Sequence, residues 1–270
     1  EFLNYREWHD LFVFNRLRTI YTAHGMNTYE FTEDNSPVTE LIVNMGDKKN
    51  HALRAKSGKR IFALSETETS GDILPNRYKQ LADLIRFYKP KTILETGTWN
   101  GGRAIEMALA SFKNQDSIHY IGFDLFEDAT IHTDHAEFNV KPHNTMEAVE
   151  KRFTEFAEHM KEKEDKTFTY ELIKGNVRET LDKFVKTEAL DEVDFALMGS
   201  GNSIETTQVE YEAFKNIPVV VIDHYFTKES EEDDSMPPEK YHGAKNVFDS
   251  VKTKMVDTEE KDTEGWTIFE

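Results

Sequence analysis

The chain has 270 residues, of which 38% are hydrophobic and 12% aromatic, enough for one large α/β domain or for a core domain with an appendage. Its net charge of −18 disfavours binding to nucleic acid or anionic lipid, since both require basic surface. The lack of cysteine excludes disulfides and thiolate metal sites. Because we find neither a membrane-spanning apolar run nor a signal peptide, we expect a soluble, cytoplasmic protein.

Residues 1–74 have a less regular pattern than the remainder of the chain. Apolar residues recur at helical spacing from Tyr5 onward, and Gly25 is typical of a helix end. Polar, irregular stretches follow, with one short apolar run. These residues contain too few apolar side chains for a core of their own, so we predict an N-terminal helical cap or lid.

From Pro75 onward, apolar runs alternate with amphipathic helical patterns. This alternation predicts parallel βαβ units and therefore an α/β fold. The tail, with Gly265 at a bend, predicts a closing hairpin. We expect a mostly parallel sheet that ends in an antiparallel hairpin. The five predicted parallel strands lie in the segments TILET, IHYIGFDLF, FTYELIKG, EVDFALMG and IPVVVIDHYF.

A glycine-rich stretch, ETGTWNGG, joins the first of these strands to a helix. Gly97 allows a tight turn, and Gly101 with its neighbour Gly102 allows close approach of a ligand or helix to the backbone. The spacing ExGxxxGG differs from the GxGxxG of nicotinamide-binding loops. Glu95, at the strand end, suits a cationic ligand better than a pyrophosphate, and Thr98 lies inside the same predicted binding loop.

Polar residues also follow the next two strands, at the sheet edge where ligands of parallel α/β proteins bind. Asp124 is placed to bind both hydroxyls of a ribose. Phe126 could flank an adenine ring, and Asn176 could bind the adenine amino group. Both acidic and amide residues at strand ends also cap ordinary turns, which is the simpler interpretation of Asn176 after Gly175.

Residues 75–270 resemble the class I S-adenosylmethionine-dependent methyltransferases, and among them the small-molecule, macrocin-type O-methyltransferases. The resemblance is carried by YKQLADLIRFYKPKTILETGTWNGGRAIEMA, IGFDLFE, VDFALMGSGNSIETTQVEYEAF and VVVIDHYF. It implies a Rossmann-like sheet of seven strands and a domain that binds S-adenosylmethionine through Glu95, Gly97, Gly101 and Asp124. It does not extend to residues 1–74.

The chain departs from that family after the strand DFALM. The family typically has Asp-Gly-Gly-His-Ser there, in which the Asp helps to bind a divalent metal and the His is a candidate acid or base. This chain has Gly199-Ser200-Gly201-Asn202-Ser203, and it has Asp223-His224 where two adjacent acids are usual. Mg²⁺ prefers carboxylate oxygens, so we assign no metal ligands and consider a divalent metal doubtful.

Three interpretations of this departure remain open. His224, with an ordinary pKa of ~6.5, could take the substrate proton with Asp223 beside it. The scaffold could instead have lost methyl transfer, or could perform other chemistry on a similar ligand. Asp223 could also cap a turn and His224 simply pack. We expect Asn202 and Tyr225 to contact substrate, whereas Arg103 and Glu106 resemble ordinary surface residues.

We therefore predict an S-adenosylmethionine-dependent methyltransferase that acts on a hydroxyl of a small molecule, such as a sugar or secondary metabolite. The alternative is a non-catalytic or chemically repurposed nucleoside-binding protein on the same scaffold. A homodimer is left open, because residues 1–74 could form a subunit contact instead of a lid.

Overall fold

A computed structural model describes residues 51–55, 58–64, 76–139, 141–187, 190–225, 242–253, 260–261 and 267–269. The helical pattern predicted before Gly25 lies outside the described residues. No helix in the described part of the chain is both long enough and apolar enough to cross a membrane.

The described residues form nine strands and seven α-helices. The strands are β1 (His51–Ala55), β2 (Arg60–Ala63), β3 (Thr92–Thr96), β4 (Ser117–Asp124), β5 (Thr167–Lys174), β6 (Phe195–Met198), β7 (Val219–Ile222), β8 (Glu260–Lys261) and β9 (Thr267–Phe269). The helices are α1 (Asn76–Tyr88), α2 (Gly102–Ser111), α3 (Ile131–Ala136), α4 (Met146–Glu164), α5 (Val177–Thr187), α6 (Ile204–Phe214) and α7 (His242–Thr253). Two short 3₁₀ turns cover Phe126–Asp128 and Leu190–Glu192.

All the strands belong to one sheet, in the order β5-β4-β3-β6-β7-β2-β1-β9-β8. The strands from β5 to β7 pair in parallel, and the chain leaves β3 first toward β4 and later toward β6. This order is the one seen in Rossmann-like sheets, with the topological switch point at β3. The predicted α/β fold with a mostly parallel sheet is confirmed.

Two strands come from the region predicted as a cap. β2 pairs in parallel with β7, β1 pairs antiparallel with β2, and β9 pairs in parallel with β1. The seven expected strands are present, and β1 and β2 lie between β7 and the predicted hairpin of β8 and β9. Strands β1 and β2 therefore extend the sheet instead of covering it, because their apolar side chains share the core of the main domain. For residues 1–50 the cap stays a prediction.

Apolar side chains pack on both faces of the sheet. On one face, residues of α1, α2 and α4 form a cluster with the strands, and on the other face α5, α6 and α7 do so. Every residue of β6 and β7 is buried, as expected for parallel strands covered on two sides. This packing fixes the carboxyl ends of the central strands, where the loops that carry the predicted site residues meet.

Candidate functional site

The two glycine-rich loops, after β3 and after β6, pack directly on each other. Gly97 has φ of 81°, and a Cβ built on it would lie 2.5 Å from the carbonyl oxygen of Gly199 and 2.9 Å from the Cα of Ser200. No larger residue fits at position 97, since such contacts are far closer than van der Waals distance. The loop after β6 is thus part of the same crevice as the predicted cofactor loop.

Gly101, the other glycine of that loop with a positive φ, faces inward. Its φ is 77°, and a Cβ there would lie 2.6 Å from the Phe153 ring. The residue is needed for packing of the loop against α4. A direct approach of a ligand at this point is not supported by its surroundings.

Asp124, at the end of β4, joins the loop after β3 to the loop after β4 through hydrogen bonds. Its Oδ2 accepts a hydrogen bond from the Trp99 backbone N–H at 2.7 Å, and its Oδ1 accepts one from the Phe126 N–H at 2.8 Å. The residue is half-buried, and Trp99 beside it is 39% exposed. Because each carboxylate oxygen can accept a second hydrogen bond, Asp124 retains capacity for ligand hydroxyls.

Glu95, at the end of β3, is closed off from solvent by its partners. The Tyr120 hydroxyl donates to Glu95 Oε2 at 2.5 Å, and the Arg103 Nε donates to Oε1. Thr98, also buried, lies with its hydroxyl 3.1 Å from that of Tyr120. Burial raises the pKa of Glu95, and the Arg103 guanidinium opposes this rise. In this structure Glu95 presents no oxygen to a ligand.

Arg103 links the two predicted acidic residues. Its Nη1 donates to Asp223 Oδ2 at 2.5 Å and its Nη2 to the Gly97 carbonyl at 3.2 Å, in addition to its bond with Glu95. The expectation that Arg103 is an ordinary surface residue is wrong, because its side chain is only 15% exposed and holds two buried carboxylates. Glu106, also expected at the surface, is half-buried, and burial raises its pKa to about 7.

The same guanidinium explains the glycine at the end of β6. A Cβ on Gly199 would lie 2.7 Å from Arg103 Nη2 and 3.1 Å from the Thr96 carbonyl oxygen. An aspartate at this position would need the volume that the guanidinium fills. A side chain at position 199 would thus enter space that the guanidinium of α2 now occupies.

Asp223 and His224 follow β7, as predicted, next to Arg103. The His224 backbone N–H donates to Asp223 Oδ1 at 2.9 Å, and the His224 Nε2 lies 3.9 Å from Asp223 Oδ2. His224 has φ of 62°, an unusual value for a residue other than glycine. The Asp223 side chain is buried and that of His224 is 13% exposed, so the pair forms an inner wall of the crevice.

The segment between β4 and α4 contributes to the site a residue that the sequence pattern did not predict, Glu137. We call residues 125–139 the strap. Glu137 of the strap accepts hydrogen bonds through Oε2 from the N–H groups of Asn202 and Ser203, both at 2.9 Å. Its Oε1 accepts from the Ser203 hydroxyl at 3.0 Å and from the Thr206 hydroxyl at 2.5 Å. A carboxylate thus lies at the N-terminus of α6, where the helix dipole favours negative charge.

Asn202 is buried beneath the strap. Its Nδ2 donates to the Glu137 carbonyl at 2.6 Å, while among the described residues its Oδ1 has no hydrogen-bond partner. A buried amide oxygen without a donor is costly, and it is a candidate contact for a ligand or a water molecule. The predicted substrate role of Asn202 stays a proposal.

Ser200 connects the crevice to a second buried acid. Its hydroxyl donates to Glu210 Oε1, and Glu210, on α6, is completely buried. Burial raises the pKa of Glu210 to about 7, although hydrogen bonds from Ser200 and Thr96 lower it. Sequence reasoning missed Glu210, since a single Glu in a helix carries no mark of burial.

Three predicted contacts do not fit the structure. Phe126 is completely buried in the core with the aromatic residues of α4, so its ring is not available to flank adenine. Tyr225 is buried against Phe248 and donates to Asp249 Oδ1 at 3.4 Å, and burial raises its pKa to about 12. Asn176 is exposed and caps α5, its Oδ1 accepting from the Arg178 N–H at 3.0 Å, as in the simpler interpretation.

Among the residues that the structure describes, no three His, Asp or Glu side chains form a group that could hold a metal ion. The acids of the crevice are instead bound to Arg103.

Several solved structures similar to this chain are O-methyltransferases. One, from Streptomyces achromogenes, is involved in tomaymycin synthesis and was solved with S-adenosylmethionine. Its sequence is 16% identical, the match covers 73% of this chain and 78% of that chain, and the TM-score is 0.45. Another, from Bacillus cereus with S-adenosylhomocysteine, has 15% identity, coverages of 88% and 86%, and a TM-score of 0.43. A TDP-rhamnose 3′-O-methyltransferase of calicheamicin biosynthesis has 16% identity, coverages of 65% and 71%, and a TM-score of 0.40.

No protein-family model and no curated protein sequence matches the chain. At identities this low and TM-scores below 0.5, the structural likenesses do not assign a function. The class defined by the coordinates is a Rossmann-like α/β protein with an acidic crevice at the switch point of its sheet.

Proposed function

We propose that this chain is an S-adenosylmethionine-dependent methyltransferase that acts on a hydroxyl group of a small molecule. The observation that carries the proposal is Asp124, a half-exposed carboxylate at the switch point of a Rossmann-like sheet, bonded to the backbone of a glycine-rich turn. Carboxylates in that position bind the two hydroxyls of a ribose. The exposed Trp99 next to it provides an aromatic surface for the rest of a nucleoside.

The charges of the crevice suit a cationic ligand. Glu95 and Asp223 carry two negative charges when ionised, and Arg103 carries one positive charge against them. In the form with both acids ionised, one negative charge remains and attracts a sulfonium, which is the group that makes the methyl of S-adenosylmethionine transferable. In this proposal Glu95 acts by orienting Arg103, since its own oxygens are occupied by Arg103 and Tyr120.

His224 and Asp223 stay candidates for handling the proton of the acceptor hydroxyl. Both oxygens of Asp223 already accept hydrogen bonds, Oδ2 from Arg103 and Oδ1 from the His224 backbone N–H. Of the two, His224 is therefore the better acceptor.

One observation favours a non-catalytic nucleoside-binding protein as the second candidate. The acids on both sides of the crevice are held by one guanidinium, and the loop after β6 is packed against Gly97. Such an arrangement could bind a nucleoside without activating an acceptor.

Calorimetry with S-adenosylmethionine tests the binding step. Asp124→Asn is the informative variant, and Asp128→Asn, four residues further on and exposed, is the matched control. We expect loss of about tenfold or more in affinity for Asp124→Asn, which corresponds to at least one lost hydrogen bond to an ionised group, and none for Asp128→Asn. Equal affinity in all three proteins, with unchanged melting temperatures, would contradict the proposal.

Turnover separates the two candidate functions. Transfer of a labelled methyl group from S-adenosylmethionine to caffeic acid, catechol or methyl glucoside supports the methyltransferase. Tight binding without transfer to any of these hydroxyl compounds favours the nucleoside-binding protein.

A further inference from the structure

The loop after β6 joins the crevice to an acid that the proposed function does not use. Ser200 is half-buried, and its Cα lies against the Gly97 turn of the cofactor loop. Its hydroxyl donates to Oε1 of Glu210, a completely buried residue of α6. One side of Ser200 thus belongs to the crevice, while its hydroxyl contacts a carboxylate that no ligand can reach directly.

We propose that Ser200 and Glu210 form a proton relay through which the acceptor hydroxyl of the proposed methyltransferase reaction loses its proton. The inference rests on the proposed function for its substrate, but the relay itself is a property of this chain. Ser200 would touch the acceptor, and Glu210 would act through Ser200. The absent acid at position 199 is then replaced by an acid that approaches the same loop from the helix behind it.

The proton transfer balances without any further reactant. The O–H bond of the acceptor breaks, its proton bonds to Ser200 Oγ, and the original Ser200 proton bonds to Glu210 Oε1. The electron pair left on the acceptor oxygen forms the bond to the methyl carbon. The bond between that carbon and sulfur breaks, and its electron pair stays on sulfur, which becomes a neutral thioether.

The surroundings of Glu210 allow it to gain and lose a proton near neutrality. Burial raises the pKa of Glu210 to about 7, hydrogen bonds from Ser200, Thr96 and the Gly201 backbone lower it, and the charge of Glu137 raises it. Glu137, from the strap, is itself paired with Arg178 of α5 at 3.5 Å. A base is most effective when its pKa lies close to the working pH.

Infrared titration tests the relay without any acceptor. The carboxyl band of Glu210 is identified by subtracting the spectrum of Glu210→Gln, and it is followed from about pH 5 to about pH 9, a range around the ordinary and shifted values. We expect a midpoint near neutrality, and a higher midpoint in Ser200→Ala because a hydrogen bond to the ionised form is lost. A Glu210 that stays ionised or protonated throughout, or a midpoint unaffected by Ser200→Ala, would overturn the relay.

Steady-state kinetics then tests whether the relay is used in methyl transfer. The acceptor is whichever of caffeic acid, catechol or methyl glucoside is methylated. Glu210→Gln and Ser200→Ala should lower kcat on the order of 10²-fold, the usual scale for a lost general base, with unchanged affinity for S-adenosylmethionine. The rise of kcat with pH near neutrality should disappear in Glu210→Gln, and Ser200→Thr should restore activity. Glu212→Gln, on the exposed side of α6, is the control.

The outcomes distinguish the two proposals. A wild-type protein that methylates none of these compounds contradicts the proposed function, while the infrared titration still decides whether the pair accepts a proton. An active wild type in which Glu210→Gln keeps its kcat and its pH profile, or in which only His224→Gln is impaired, overturns the relay and leaves the methyltransferase in place.

Discussion

Glu95 and Glu210 are both completely buried glutamates beside the same crevice, yet they have different surroundings. Glu95 is bonded to a guanidinium and to the Tyr120 hydroxyl. Glu210 accepts a hydrogen bond from the Ser200 hydroxyl through Oε1, and its Oε2 has no hydrogen-bond partner among the described residues. One acid therefore has a cation for a partner, and the other has neutral groups alone.

The difference shows two ways in which a protein tolerates a buried acid. A buried carboxylate is costly unless it is paired or becomes neutral. Arg103 supplies the pairing for Glu95 and opposes the rise of its pKa that burial causes. Glu210 has no such partner among the groups that act on its pKa, so its protonation state changes near neutral pH. The first acid holds the site in shape, and the second is free to exchange a proton.

Removing the cation should abolish this contrast and produces the largest effect we predict. Arg103→Met leaves Glu95 and Asp223 buried without their counter-charge, and breaking a buried ion pair in this way costs about 3–5 kcal/mol. Urea unfolding measures the loss, which should shrink at acidic pH as the acids become neutral. Lys186→Met breaks an exposed pair with Asp182 and should cost below about 1 kcal/mol. Equal losses in the two variants would show that the buried network adds nothing.

The second prediction concerns the protonation of Glu210, the acid without a cationic partner. The pKa of Glu210 rises from 4.5 to about 7 on folding, so the native state binds the extra proton between these values. Its stabilising contribution is complete below the unfolded pKa and is lost as the pH rises through the folded one. At about 1.4 kcal/mol for each pH unit, the change amounts to about 3 kcal/mol.

Glu210→Gln should therefore gain stability relative to wild type by about this amount between acidic and alkaline pH. Urea unfolding at several pH values measures the gain. The control is Glu212→Gln, which alters an exposed pair with Lys215. Its free energy of unfolding should have the same pH dependence as that of wild type. A difference between Glu210→Gln and wild type that does not change with pH would mean that Glu210 does not take up a proton on folding.

The elements that the sequence predicted well are those with a local signal. Alternation of apolar runs and amphipathic patterns located the parallel strands, because each run must be buried on two faces of a sheet. Asp124 was placed correctly at a strand end, since such positions follow directly from the strand assignment. Strands β1 and β2 were missed because, besides pairing with each other, they join the sheet through β7 and β9, which are distant in the chain.

The residues that were misjudged have environments that only the tertiary structure creates. Arg103 follows a glycine loop in a helical pattern and shares that pattern with exposed arginines. Phe126 and Tyr225 each lie two residues after an acid at a strand end, but their rings turn into the core. Glu137 and Glu210 are charged residues in polar stretches, and their burial depends on how the strap and α6 pack. Sequence pattern alone does not distinguish such residues from surface ones.

The smallest effect we predict concerns the charge that links the strap to Glu210. Glu137→Gln removes an anion from the N-terminus of α6 and should lower stability by about 1 kcal/mol. The pKa of Glu210 should fall, since Glu137 is the charged group that raises it. The pKa of Glu95 should be unaffected, because it depends on burial, Arg103, Tyr120 and Asp223. Infrared titration measures both acids in one experiment.

The control for this last variant is Glu205→Gln, which alters an exposed acid in the first turn of the same helix, also paired with Arg178. Because Glu205 is far more exposed than Glu137, water screens its charge and the midpoint of Glu210 should not move. If Glu205→Gln lowers that midpoint as much as Glu137→Gln does, the effect belongs to the helix end in general. The strap would then have no particular control over the acid behind Ser200.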